Sequence, residues 1–88
     1  MFIEEVKVMG MDLFKFTHKG VSGHLFVNNK HATIYDVMSK NRNKGECLET
    51  LGMLKEEYEA NNKIFGGTVA LNPTMKHIYQ KLEIKEYQ

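Results

Sequence analysis

The sequence predicts a small α/β domain, an antiparallel β-meander followed by a β-α-β-α core, all within residues 1–88. Three observations carry that expectation. Alternating stretches separated by turn signals run from residue 12 to residue 38. A stripe of helical period begins at Cys47, and Asn72-Pro73 announces a second helix behind one more short strand. Eighty-eight residues make one domain, since domains typically hold about 100–150. With 42% hydrophobic and 26% charged residues the chain is globular rather than disordered.

In Asp12-Leu13-Phe14-Lys15-Phe16-Thr17, Phe14 and Phe16 share one face and Leu13, Lys15 and Thr17 the other, the period of a strand. His18-Lys19-Gly20 is a turn signal, and Gly23 to Val27 reads as the second strand. Asn28-Asn29-Lys30 predicts a turn of the Asn-rich kind that admits positive φ. His31 to Met38, rich in β-branched and aromatic residues, is the third strand. After a polar, basic loop, Cys47, Leu48, Leu51, Leu54 and Tyr58 form the apolar stripe of a helix. Glu49, Lys55, Glu56, Glu57 and Glu59 make its solvated face. Gly52 costs that helix about 0.8–1 kcal/mol against alanine, which predicts close packing on the sheet there. Asn61-Asn62 ends the helix. Lys63 to Leu71 reads as a fourth strand interrupted at Gly66-Gly67. Asn72 caps and Pro73 opens a helix with Met75, Ile78, Tyr79 and Leu82 inward. Glu83 to Gln88 leave room only for a terminal edge strand.

Charge and cysteine usage narrow the function. Twelve basic against eleven acidic residues give a net charge of +1, which argues against a protein that coats nucleic acid. A small nucleic-acid-binding domain using Lys40, Arg42 and Lys44 is a rival that this balance disfavours. The single Cys47 forms no internal disulfide, and His18, His24, His31 and His77 lack metal-ligand spacing, so no metal is expected. Glu4 and Glu5 stand where an export signal would be basic, and no apolar run approaches the ~20 residues that span a bilayer. With a free cysteine, a cytoplasmic location and no membrane partner are the expectation.

A strand, a short basic loop with a glycine, and a helix make the recipe for holding a phosphorylated cofactor. The first N–H groups of a helix lack internal partners and carry partial positive charge. A glycine lets a pyrophosphate approach them. Gly45 is that glycine, with Arg42 and Lys44 as further donors. Glycine and basic residues before a helix are also common in plain turns, and this is neither a Walker loop nor a G-x-G-x-x-G fingerprint.

Arg42-Asn43-Lys44-Gly45-Glu46-Cys47 resembles the Arg/Gln-x-x-Gly-x-Gly/Ala signature of the GNAT superfamily of N-acetyltransferases, which cradles the pyrophosphate of acetyl-coenzyme A. Val37, five residues before Arg42, falls where that family's cofactor-binding strand ends. Asn72, followed seven residues later by Tyr79 and then Lys81-Leu82, is similar to the family's second signature. The resemblance covers residues 30–85. Cys47 replaces a smaller residue, Asn43 a commoner glycine, and Glu83-Ile84 the family's Gly-Phe. The family's N-terminal helices and final strands have no counterpart in this minimal core.

The resemblance implies an acetyl-CoA-dependent N-acetyltransferase acting on an amine, among which a protein lysine or N-terminus suits an open acceptor side. Val37 and Met38 would then pair with the cofactor's pantetheine arm, one N–H polarising the thioester carbonyl. Arg42, Asn43, Lys44, Gly45, Glu46 and Cys47 would hold its pyrophosphate, and Asn72 its arm. Tyr79 would give a proton to the leaving thiolate, although its place in the helix's apolar stripe also suits a packing residue. The base is open among Asp36, Tyr35, His24 and Glu46, with removal through water another option and Asp36 best located. Cys47 at a helix N-terminus could pass for a nucleophile, but no histidine can be placed beside it, and a packing role is expected. The alternative is a catalytically inactive module of this fold that binds or inhibits a protein. An open sheet edge also predicts a homodimer through the first or last strand.

Overall fold

Sheet formation begins earlier than the alternation at residue 12. The computed structural model describes residues 1–40, 45–68, 70 and 72–87. Among them the elements are β1 (Phe2–Val8), β2 (Met11–His18), β3 (Val21–Val27), β4 (His31–Ser39), α1 (Glu46–Ala60), β5 (Ile64–Thr68), α2 (Pro73–Leu82) and β6 (Lys85–Tyr87). One sheet takes the six strands in chain order. β1 to β4 form an antiparallel meander, whereas β4, β5 and β6 run parallel. Parallel neighbours need crossovers, which α1 and α2 supply.

Both helices pack on one face. There Phe16, Val21, Leu25, Ala32 and Ile34 of the meander meet Leu51 and Leu54 of α1, Phe65 of β5, and Ile78 and Tyr79 of α2. Each buried Val, Leu, Ile or Phe side chain among them stabilises the fold by about 1.5–3 kcal/mol through removal from water. Thr50, the buried polar residue of this core, returns its hydroxyl to the Glu46 carbonyl at 2.7 Å. The other face carries no helix among the described residues. Even-numbered positions of β2 and odd-numbered positions of β3 point to the helices, so Lys15 and His24, which are register partners, share the helix-free face. No helix among the described residues is long and apolar enough to cross a membrane.

Four expectations are corrected. β1 was not foreseen, because an edge strand exposed on both sides of Glu4 and Glu5 shows no clean alternation. Its hairpin turn is Met9-Gly10, with φ of 49° and 82°, the pair of positive angles that a two-residue connection requires. Asn28 turns the chain through its side chain rather than by positive φ: Oδ1 accepts from the N–H groups of Lys30 (2.9 Å) and His31 (2.8 Å). Gly66 and Gly67 do not interrupt β5 but pair with Thr33 and Ile34 inside it. Val69 and Leu71, also assigned to that strand, lie outside the described residues. Gly52 is not pressed on the sheet; a Cβ there would meet only Leu82 of α2, at an ordinary 3.7 Å.

The end of α2 forms despite the missing glycine. Glu83 takes the left-handed conformation (φ 57°), its N–H donating to the Gln80 carbonyl at 3.3 Å. The Ile84 N–H donates to Tyr79 at 2.8 Å, which turns Ile84 into the core and lays β6 along β5.

Candidate functional site at the carboxyl ends of β4 and β5

Among the described residues, β4 and β5 pair from His31 and Ile64 to Ile34 and Gly67, and there the pairing stops. β4 continues along β3 to Ser39. Between the pairs His24–Asp36 and Leu25–Ile34, β4 advances two residues and β3 one, so Tyr35 is the extra residue of a β-bulge. A bulge bends its strand and shifts the alternation by one. Accordingly Ala32 and Ile34 are buried, Tyr35 and Asp36 are both exposed, and Val37 returns half-buried to the helix face.

The hydrogen bonds fix which backbone groups face the gap. The Thr68 hydroxyl donates to the Tyr35 carbonyl (3.4 Å), so Tyr35 faces β5, while the Lys40 N–H donates to Gly20 (2.8 Å) on the opposite side. Alternation then turns the N–H and C=O of Val37 to the edge that β5 leaves open, and those of Met38 towards β3. Of the two residues expected to meet a cofactor arm, Val37 turns its backbone to the β5 side and has no β5 partner among the described residues. Met38 pairs with Ser22, and its side chain is exposed.

Six residues beyond β4, Gly45 precedes α1 in the left-handed conformation (φ 70°), with no side-chain cap and, among the described residues other than its chain neighbours, no atom within 4 Å of where a Cβ would stand. The first turn of α1, with Glu46 and Cys47, therefore starts at the same end of the sheet as the gap. Arg42, Asn43 and Lys44 lie outside the described residues. Cys47 is half-buried with Sγ 3.9 Å from the Met75 sulfur, and burial pushes its thiol above the ordinary range. It packs as expected and is no poised thiolate.

At the carboxyl end of β5, the Asn72 side chain caps α2 by accepting from the Met75 N–H at 2.8 Å. Two turns later Tyr79, 4% exposed, lays its phenol over Gly67. A Cβ at 67 would strike the hydroxyl and stand 2.6 Å from Cζ, so the glycine is what lets the phenol reach the strand. Gly67 is the last β5 residue paired with β4, which places the Tyr79 hydroxyl where the gap opens. Burial first, then Glu86 and Cys47, push this phenol up to about 12. It stays protonated across neutral pH and can donate a proton. Tyr79 also lines an open depression of about 390 Å³ with Lys76, Gln80, Glu83, Ile84 and Glu86, so the buried ring borders solvent on that side.

Asp36 stands on the helix-free face, in a contact the spacing did not foresee: its Oδ1 lies 2.8 Å from Nδ1 of His24 on β3. Glu46 is in α1, away from this pair in the chain, and Tyr35 is the exposed bulge residue. Gly67 and the bulge were also missed. A glycine pair inside a strand is a signal of close approach, and the apolar positions 32, 34 and 37 break the period of two. The chain was compared with protein-family models, curated proteins and solved structures, and none matches.

Proposed function

We propose that the chain is an acetyl-CoA-dependent N-acetyltransferase built on the cofactor-binding core of the GNAT fold. One observation carries this: a protonated phenol lies over Gly67, where the described pairing of β4 and β5 ends, at the end of the sheet from which α1 starts. Parallel sheets bind ligands outside the carboxyl ends of their strands, which is where these groups lie. The residues fit the cofactor, since among the described residues Gly45 leaves clear the space that a Cβ would fill beside α1.

On this proposal the N–H groups from Gly45 to Cys47 hold the pyrophosphate, with Arg42, Asn43 and Lys44 of the same loop as further donors. Asn72 contributes to the arm's site. The Val37 N–H serves the thioester carbonyl, and a donor of this kind is worth about 2.7–4 kcal/mol where single ones have been removed. Acetyl-CoA, when bound, supplies an activated acyl group. Tyr79 gives its proton to the departing sulfur, and Asp36 belongs to the machinery that deprotonates the amine. No helix walls the other face among the described residues. That suits an amine on a protein better than a small molecule, which needs a concave pocket.

The test is a calorimetric titration with acetyl-CoA of the wild type and of Gly45→Glu, with thermal melts to verify both folds. Saturable binding by the wild type, lost in Gly45→Glu, is the expected result; no binding by the wild type would overturn the proposal. Binding without transfer to any amine selects the inactive module instead. For an enzyme, Tyr79→Phe slows transfer by about 10²-fold with binding retained.

A further inference from the structure

We infer that His24, oriented by Asp36, is the base that takes the proton from the attacking amine. This rests on the acetyltransferase proposal and assigns Asp36 a positioning role rather than the proton itself. Nδ1 of His24 lies 2.8 Å from Oδ1 of Asp36. An ionised carboxylate can only accept a hydrogen bond, so Nδ1 carries the proton and the neutral ring keeps its lone pair on Nε2. Nε2 makes no hydrogen bond among the described residues, and the ring is only partly exposed. An imidazole with one nitrogen fixed and the other open has the form of a general base.

The bulge makes this pair possible. In an unbroken strand, Asp36 would follow Ala32 and Ile34 onto the helix face and away from His24. The extra residue Tyr35 turns Asp36 to the helix-free face, beside β4's open edge. Tyr79 reaches the same gap from the helix face. The Tyr79 hydroxyl therefore stands at the gap on the helix face, and His24 lies on the opposite face, one strand back from the gap on β3. The amine nitrogen bonds the acyl carbon as the carbon–sulfur bond breaks. His24 Nε2, directly or through one water, takes the proton leaving nitrogen, and the Tyr79 hydroxyl gives one to sulfur. Water then removes the proton from the imidazolium and returns one to the phenolate, so the proton count closes. The charged groups facing the ring are Asp36 of β4, Lys15 of β2 and, beyond Lys15, Glu4 of β1.

Two measurements test this. In ¹⁵N NMR of the free protein, neutral His24 should carry its proton on Nδ1, and Asp36→Ala should lose that tautomer; a ring protonated on Nε2 in the wild type would overturn the inference. In the second, coenzyme A release is followed with poly-L-lysine as the probe amine, beside calorimetric binding of acetyl-CoA. His24→Gln should lower kcat by about 10²-fold and abolish the acidic limb of the pH profile, with cofactor affinity held within about two-fold. Asp36→Ala should fall between the two, with Asp36→Glu recovering part of the rate. A His24→Gln protein with unchanged rate and pH limb sinks the inference alone. A wild type that binds the cofactor without turnover sinks it together with the enzyme proposal, and one that binds none sinks the cofactor site as well.

Discussion

Replacing Gly67 by alanine adds one methyl where the structure has no room for it. The new Cβ would overlap the Tyr79 hydroxyl and stand 2.6 Å from Cζ and 3.1 Å from Cε2. Carbon atoms rest at about 3.5–4.0 Å, so the ring must retreat by about 1 Å. It has little freedom to do so, because Tyr79 is 4% exposed and its neighbour Ile78 holds α2 in the same core at 6%. Overpacking of this kind costs about 1–3 kcal/mol. Removing a glycine from a strand returns about 0.5–1 kcal/mol, leaving a net loss of up to about 2.5 kcal/mol. For a domain this size each kcal/mol lowers Tm by about 4–8 °C. Urea denaturation of Gly67→Ala, Tyr79→Leu and the double variant separates this clash from any general weakness of β5. Leucine lacks the ring atoms that collide, so the two substitutions should be non-additive by about 1 kcal/mol or more. Additivity within about 0.3–0.5 kcal/mol would refute the placement of the phenol on Gly67, and with it the acid assigned to the gap.

Gly52→Ala should stabilise the protein by about 0.8–1 kcal/mol in a urea titration, since the methyl meets only Leu82 at van der Waals distance. Glu83→Gly relieves a left-handed residue that carries a Cβ and should add about 0.5–1 kcal/mol by the same measurement. Asn72→Ala removes the α2 cap and should cost about 0.5–2 kcal/mol, read as a lower Tm. The Tyr79 phenol, raised from 10.0 to about 12, contributes stability that is complete below pH 10 and is lost as pH rises through 12. The contribution is about 2–3 kcal/mol, so alkaline unfolding should be less steep in Tyr79→Phe.

Where a residue's role follows from its neighbours in the chain, the sequence made it legible. Asn72-Pro73 opens α2 as the capping rule requires, and the stripe from Cys47 to Tyr58 is α1. Asn62 takes the left-handed conformation (φ 63°) at the end of α1 as expected. What stayed hidden depends on pairing partners distant in the chain. β1 is a strand because β2 completes it, Ile3 lying against Phe16 and Val6 against Leu13. Gly67 reads as a breaker until Tyr79, twelve residues later, is seen to need its space. His24 and Asp36 are also twelve residues apart, and only the register of β3 on β4 brings them together.

That register turns on a single residue. Gly23, opposite Val37, leaves room for the Asp36 carbonyl and the Phe16 ring, both of which a Cβ there would strike. The bulge is thus accommodated from β3 by an absent side chain, and it changes both faces of the sheet at once. On the helix face it restores an apolar residue, Val37, to the core; without the shift that place would fall to Asp36, and an unpaired carboxylate there would be costly. On the other face it delivers Asp36 to His24. At the strand edge it turns Val37's backbone to the β5 side, beyond the last described β4–β5 pair. Core packing and the candidate chemistry therefore place the same demand on the strand. A change that restored the regular alternation of β4 would bury a charge and dismantle the site in one step, so the bulge belongs to the fold as much as to the gap it borders.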